Sequence, residues 1–419
     1  MSIVKPFKGV KYNLENVLLR KVIAPPYDVI SPEMRESFIL RSPYNVVQID
    51  LPVGDVENYH AAGDLYRQWN FEGILVKEER PAFYLYEQVY DYDGRQYVRS
   101  GFVGTLKLSE FGKGQVYPHE RTLSGPKRDR YELMKAGKAN FSQIFGLYQD
   151  SENMLNSLFN EIKKTMPAAS AMDDDNVKHS VWVIDKPEDI EYIQTFMQDK
   201  AIYIADGHHR YETALKYRDD MRVANGDSSD DVKPYDFVMM MFINFQDKGL
   251  KVFPTHRVVD VNADFQDSTV IDGLKTMFDV TPLAGKAEID AFMKETAEDV
   301  GAWVFMGMQG IYGMKIIKES MESLHPVYRK VDTYLLEDLV LKGQLGFTDE
   351  KLLAKDGIHF IQTLDEIAKY RESVSSVAFI LHPEDMETIR DVSESGLVMP
   401  QKSTFFYPKL ATGLLFNDL

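Results

Sequence analysis

Runs of β-branched and aromatic residues mark the strands in the first half of the chain. Residues 46–51, 82–89 and 97–104 share this character, which favours a pleated, half-buried backbone. Between the last two runs, Asp93-Gly94 supplies the turn that a tight hairpin requires, so they are expected to pair. Residues 57–72 and 151–166 repeat their apolar positions at helical spacing. Asp173-Asp174-Asp175-Asn176 reads as a solvated acidic bend in preference to a metal site. From about residue 262 helix and strand alternate. Helices are predicted at 263–278, 286–298, 331–342 and 348–355, and strands at 301–306, 357–361 and 376–381. This predicts a mixed α/β (α+β) chain with a boundary near residue 260, which no Gly/Ser linker marks. No internal repeat is visible.

The most informative segment lies at 201–226. Ala201-Ile202-Tyr203-Ile204-Ala205 is a short apolar run, and Asp206-Gly207 breaks it. Tyr211, Ala214, Leu215, Arg218 and Met221 then recur at helical spacing up to the stop at Asn225-Gly226. A strand, a tight turn and a helix start are therefore predicted. The first turn of a helix carries unpaired N–H groups and partial positive charge, so an anion is stabilised there. Gly207 allows close approach to the backbone, while His208, His209 and Arg210 add donors suited to phosphate oxygens. Asp206 could orient a histidine, meet a phosphate-bound Mg²⁺, or accept a proton. The alternative is that Asp206 N-caps the helix and the histidines sit on the surface. A zinc site from His209 and Glu212 lacks a third ligand nearby.

Composition narrows the classes. At 419 residues there is material for two or three domains. No apolar run approaches the ~20 residues that span a bilayer, and Met1–Phe7 has no apolar segment behind it, so neither a membrane span nor a signal peptide is expected. With no cysteine, disulfides, thiolate metal sites and cysteine nucleophiles are excluded, in keeping with a cytoplasmic protein. The net charge of -17 argues against general nucleic-acid binding, though a local basic pocket for a small anion remains compatible.

Other polar clusters carry candidate chemistry. In 118–130, Glu120 could take a proton from a hydroxyl, and Arg121, Lys127 and Arg130 could neutralise phosphate charge. The same residues equally make a salt-bridged surface loop. Ala24-Pro25-Pro26-Tyr27-Asp28 is rigid and either presents Tyr27 or Asp28 to a ligand or only routes the chain. Pro254–Arg257 ends a strand-like stretch. Residues 399–409 place Lys402, Ser403 and Thr404 beside three aromatics, fit for an adenine or phosphate contact or for a strand that covers the core.

Residues 205–214 (Ala-Asp-Gly-His-His-Arg-Tyr-Glu-Thr-Ala), 24–30 (Ala-Pro-Pro-Tyr-Asp-Val-Ile), 119–122 (His-Glu-Arg-Thr) and 402–409 (Lys-Ser-Thr-Phe-Phe-Tyr-Pro-Lys) together resemble the domain-of-unknown-function 1015 family over nearly the whole chain. Gln143 stands where that family's pattern suggests Pro, a departure expected to affect only a turn. The Gly207-His208-His209-Arg210 turn is similar to the phosphate-binding turn of the ParB/sulfiredoxin superfamily. Histidines replace the sulfiredoxin cysteine, which excludes sulfiredoxin chemistry, and no ParB DNA-binding module is visible. The resemblance implies a ParB/sulfiredoxin-like nucleotide-binding core over 1–260. An α/β region would follow over 261–419, its C-terminal segment returning to the core. It further implies a nucleotide-dependent kinase acting on a small hydroxyl compound such as free L-serine, using ATP or ADP with Mg²⁺ and no resident metal. Gly207, His208, His209, Arg210, Arg121, Lys127 and Lys402 would hold phosphates, Asp206 or Glu120 would accept the proton, and His119 would assist transfer. The expected partners are a nucleotide and a hydroxylated metabolite, with no nucleic acid or membrane, and a homodimer is compatible. A nucleotide hydrolase or phosphatase and a non-catalytic nucleotide-sensing module are the alternatives.

Overall fold

The structure, a computed structural model, describes residues 2–120, 122, 124–228 and 231–419. The chain forms two compact units. One comprises the residues up to Pro118, Thr122–Lys251 and Pro408–Leu419; the other comprises His119–Arg121 and Val252–Tyr407.

The first unit is built on a nine-stranded mixed sheet. From one edge its strands run Val116–Tyr117, Ile202–Asp206, Ile144–Tyr148, Phe237–Asn244, Arg95–Lys107, Phe83–Tyr92, Lys178–Ile184 and Ala169–Met172, with Val4–Lys5 paired to Arg95–Lys107. Ile202–Asp206 is parallel to Val116–Tyr117 and antiparallel to Ile144–Tyr148, which is itself parallel to Phe237–Asn244. The hairpin forms where expected: Asp93 and Gly94 both take positive φ (49° and 68°), and Tyr92 pairs with Arg95. Phe83, Leu85, Phe102, Ile144, Ile204, Met240 and Phe242 share one buried cluster with Tyr211 and Ala214 of the helix His208–Asn225. Burying this apolar surface fixes that helix on the sheet.

The second unit is a six-stranded antiparallel sheet in the order Phe278–Leu283, Ile311–Ile316, Ala302–Met306, Ser376–Ile380, His256–Asp260, Ile358–Ile361. Trp303 and Phe305 pack into one cluster and Val304 into another. That alternation is the signature of a sheet covered on both faces.

Several predicted elements differ. Residues 46–51 are not a strand: Val47–Asp50 is a short helix. Asn45 Oδ1 accepts from Val47 N and the Asp50 N–H bonds to Val46 O, so local capping and a buried Asp50 override the β-branched composition. Lys127 and Arg130 lie on the helix Ser124–Gly137 and not in a loop. The helix expected at 151–166 shrinks to Asn156–Ile162. Asn153 has φ 53° and Asp150 takes the Met154 N–H, which makes a turn there instead. The helix expected over 263–278 is Ser268–Leu274, and 331–342 begins as an α-helix but continues as a π-helix over Leu336–Lys342. The acidic bend at 173–176 is present. Asp173 accepts from Asp175 N and Val177 N, and Asp174 pairs with Arg41 at 2.6 Å. Among the described residues, no helix is long and apolar enough to cross a membrane.

Candidate functional site

Ile202 to Ala205 are buried, and the register against Ile144–Tyr148 shifts between Ile204 and Asp206. Such a bulge turns the side chain that follows it. Gly207 then adopts φ 98°, ψ 26°, a left-handed conformation costly for residues with a Cβ. Space imposes a second requirement, since a Cβ on Gly207 would lie 2.9 to 3.1 Å from the Arg210 guanidinium. The helix His208–Asn225 has Gly207 at its N-cap and no acidic residue in its first turn. The positive end of its dipole is therefore not neutralised from within that turn. Gly226, at φ 69°, ends it as expected.

Asp206 stands just before Gly207, the N-cap position of this helix. Its Oδ2 accepts from Lys409 Nζ at 2.7 Å, and its Oδ1 lies 3.6 Å from Arg210 Nη2. Arg210 reaches inward: Nη1 donates to Gln143 O at 2.6 Å and to Ser142 Oγ at 3.2 Å. Gln143, the departure from the family pattern, thus does more than shape a turn, because its side chain also donates to Ala411 O at 3.0 Å. His208 is buried and His209 half-buried.

A second buried guanidinium belongs to the same unit. Arg130 stacks over the Tyr27 ring at 4.0 Å, donates to Asp50 O at 2.7 Å, and pairs with Asp129 at 2.6 Å. Burial raises the Tyr27 phenol to about 12, opposed by Arg130 and Arg210 and reinforced by Asp28 and Asp206. Burial likewise raises the Asp50 carboxyl, with Arg130 and Arg210 opposing. The rigid 24–30 segment, Asp50, Arg130, the 142–143 loop, the 206–210 turn and Lys409 therefore form one electrostatic cluster.

Lys127 joins the first turns of the turn's helix. Its Nζ lies 2.7 Å from Glu212 Oε2, Thr122 Oγ1 donates to the same carboxylate at 2.9 Å, and Thr213 Oγ1 donates to Lys127 O at 3.3 Å. Glu212, weighed with His209 as a zinc pair, is engaged this way. Among the described residues no group of three His, Asp or Glu is placed to hold a metal. His119 and Glu120 fold with the second unit. There His119 Nε2 lies 3.0 Å from Thr404 Oγ1, and Glu120 Oε1 accepts from the backbone N–H of Lys402 at 2.8 Å. Arg121 lies outside the described residues.

Sequence reasoning picked Lys402 from the 402–409 segment and passed over Lys409, the residue that reaches Asp206. It also passed over Asp50 and Ser142. Asp50 did carry a signal, since a carboxylate inside an apolar run needs a buried partner.

The family model described as "Protein of unknown function (DUF1015)" matches residues 4–334. The chain belongs to the DUF1015 family. Its match contains the 24–30, 119–122 and 205–214 segments, whereas Lys409 lies beyond it. No curated protein matches the chain. Among solved structures, this DUF1015 chain is similar to a free serine kinase in complex with AMP (12% identity, covering 72% of this chain and 89% of that one, TM-score 0.36). It is also similar to a free serine kinase mutant in complex with ADP (14%, 72% and 89%, 0.34) and to a conserved hypothetical protein from Pyrococcus furiosus (14%, 72% and 92%, 0.36). Superpositions at this level carry no activity across.

Proposed function

We propose that this DUF1015 protein binds a nucleotide at the 206–210 turn and transfers a phosphoryl group to a small hydroxyl compound, with free L-serine the first acceptor to test. The observation that carries the reading is the turn itself: a left-handed Gly207 delivers an apolar strand onto the start of an 18-residue helix with no acidic residue in its first turn. The N-terminal end of a helix favours phosphate oxygens. Lys409 and Arg210, both at Asp206, add charge where a transferring phosphoryl group needs it. The likeness of the turn to the ParB/sulfiredoxin phosphate turn supports the same reading. Mg²⁺ enters with the nucleotide as substrate. An ion bound mainly by phosphates and water needs only one or two carboxylates, and Asp206 is the carboxylate at this turn.

In the proposed step the acceptor oxygen attacks the terminal phosphorus, the bond from that phosphorus to the leaving nucleotide oxygen breaks, and the hydroxyl proton passes to Asp206. Glu120 is the other candidate base. Purified protein with ATP or ADP, Mg²⁺ and L-serine is expected to yield phosphoserine by ³¹P NMR. If Asp206 is the base, Asp206→Asn lowers the rate by about 10²–10⁴ and Glu120→Gln does not; the reverse assigns Glu120. Phosphate release that needs no acceptor would identify a hydrolase, and tight nucleotide binding without turnover of any hydroxylated metabolite a sensor.

A further inference from the structure

A small, partly open cavity of about 30 Å³ lies beside the turn, lined by Asp50, Arg130, Asn140, Ser142 and Arg210 among apolar side chains. Two of its arginines are incompletely paired. Arg130 is 4% exposed and, among the described residues, neither its Nη2 nor the buried Nε of Arg210 has a hydrogen-bond partner. Buried donors of this kind are rare and costly. These two belong to side chains lining one cavity, which points to an occupant that accepts hydrogen bonds. A water takes roughly 10–15 Å³ in this measure, so the cavity has room for about two oxygen-sized groups. A phosphoryl group, with three outer oxygens, exceeds it, whereas a planar carboxylate matches two donors with two oxygens.

We propose that the Arg130–Arg210 cavity is a carboxylate subsite, and that the acceptor is therefore a short hydroxy acid. This rests on the kinase reading for the phosphorylated hydroxyl but not for the binding of the acid. The same Arg210 guanidinium that lines the cavity stands 3.6 Å from Asp206. The carboxylate and the reacting hydroxyl consequently lie a few bonds apart in the bound acid. Tyr27, stacked on Arg130, and Asp50, bonded to it, hold the guanidinium in place.

The test compares isosteres that differ in one charge, using the full-length protein: L-serine against L-serinamide and glycerate against glyceramide, by calorimetric binding with and without ATP. Each acid is expected to bind roughly tenfold to hundredfold more tightly than its amide, the range for hydrogen bonds to a charged group. Arg130→Lys should remove most of that preference. Acid binding with this preference but no phosphoryl transfer keeps the subsite and sinks the kinase reading. Equal turnover of L-serine and L-serinamide keeps the kinase reading and overturns the subsite. Equal binding of acids and amides, or no binding of either, also overturns it and leaves the cavity to ordered water. If Arg130→Lys fails to fold, the acid–amide comparison on the native protein still decides.

Discussion

Replacing Gly207 by Ala tests the physical basis of the site independently of any activity. Two costs are expected. Holding a Cβ-bearing residue at φ 98° costs about 1–2 kcal/mol. The new methyl would also lie 2.9 to 3.1 Å from the Arg210 guanidinium. Arg210 must then yield, weakening its hydrogen bonds to Gln143 O and Ser142 Oγ, a loss of about 1.5–3 kcal/mol for a charged donor. The sum, about 2.5–5 kcal/mol, corresponds to roughly 5–20 °C in a unit of this size. Gly226→Ala supplies the control: φ is 69° and a Cβ there meets nothing within 4 Å, so only the backbone cost of about 1–2 kcal/mol should appear. The measurement is urea unfolding followed by tryptophan fluorescence. Trp303 of the second unit is replaced by Phe so that Trp69 and Trp182 report the first. In an Arg210→Met background, Gly207→Ala should cost no more than Gly226→Ala, which isolates the coupling as a double-mutant cycle. If Gly207→Ala and Gly226→Ala cost the same in the otherwise native protein, the guanidinium is not packed against the turn and the account of the site fails.

Three further outcomes are expected. Lys409→Met strips Asp206 of the ammonium at 2.7 Å; nucleotide affinity should fall by tenfold or more, at about 1.4 kcal/mol per decade, and unchanged affinity in a titration would remove Lys409 from the site. Lys127→Met breaks a half-exposed pair with Glu212, so stability should change by less than about 1 kcal/mol; a drop in nucleotide affinity without a drop in melting temperature would mark Lys127 as a ligand contact. Burial raises Glu384 from 4.5 to about 7, so the folded second unit holds a proton that the unfolded chain has released. Its contribution is complete below pH 4.5 and is lost as pH rises through 7. Glu384→Gln should therefore make the slope of stability against pH more positive across that window, by roughly 1 kcal/mol per pH unit, as read by calorimetry at pH 5, 6 and 7. An unchanged slope would show that Glu384 is already ionised in the fold. His256, lowered to about 4 by burial, acts in the opposite sense between 4 and 6.5.

The turn was legible because every part of it is local. An apolar run, Asp206-Gly207, a helical repeat and Asn225-Gly226 follow in order, and each fixes its own backbone. The hairpin at Asp93-Gly94 was legible for the same reason. Pairings across long separations were not. Nothing near Lys409 in the sequence marks it as a residue that reaches Asp206, 203 residues away. Asp50 misled in a related way: the β-branched residues around it suggest a strand, but its carboxylate is bound to Arg130, 80 residues on. A helix there brings both Asp50 O and Oδ1 to that guanidinium, an arrangement the apolar pattern does not encode.

On the proposed reading, the cations around the turn are what would let a chain of net charge -17 hold an anion. Arg130 is matched by Asp50 and Asp129, and both Lys409 and Arg210 by Asp206. Each positive group thus has an anionic partner, which lowers the penalty of burying it. A nucleotide phosphate arriving at the turn competes with Asp206 for Lys409 and Arg210. A divalent cation on that phosphate reverses the competition, because it attracts the carboxylate that the phosphate displaces. On the proposed reading, Asp206 exchanges internal partners for the cation–nucleotide pair as a unit. Affinity should then rise with Mg²⁺ more steeply in the native protein than in Asp206→Asn, where no carboxylate remains to make the exchange.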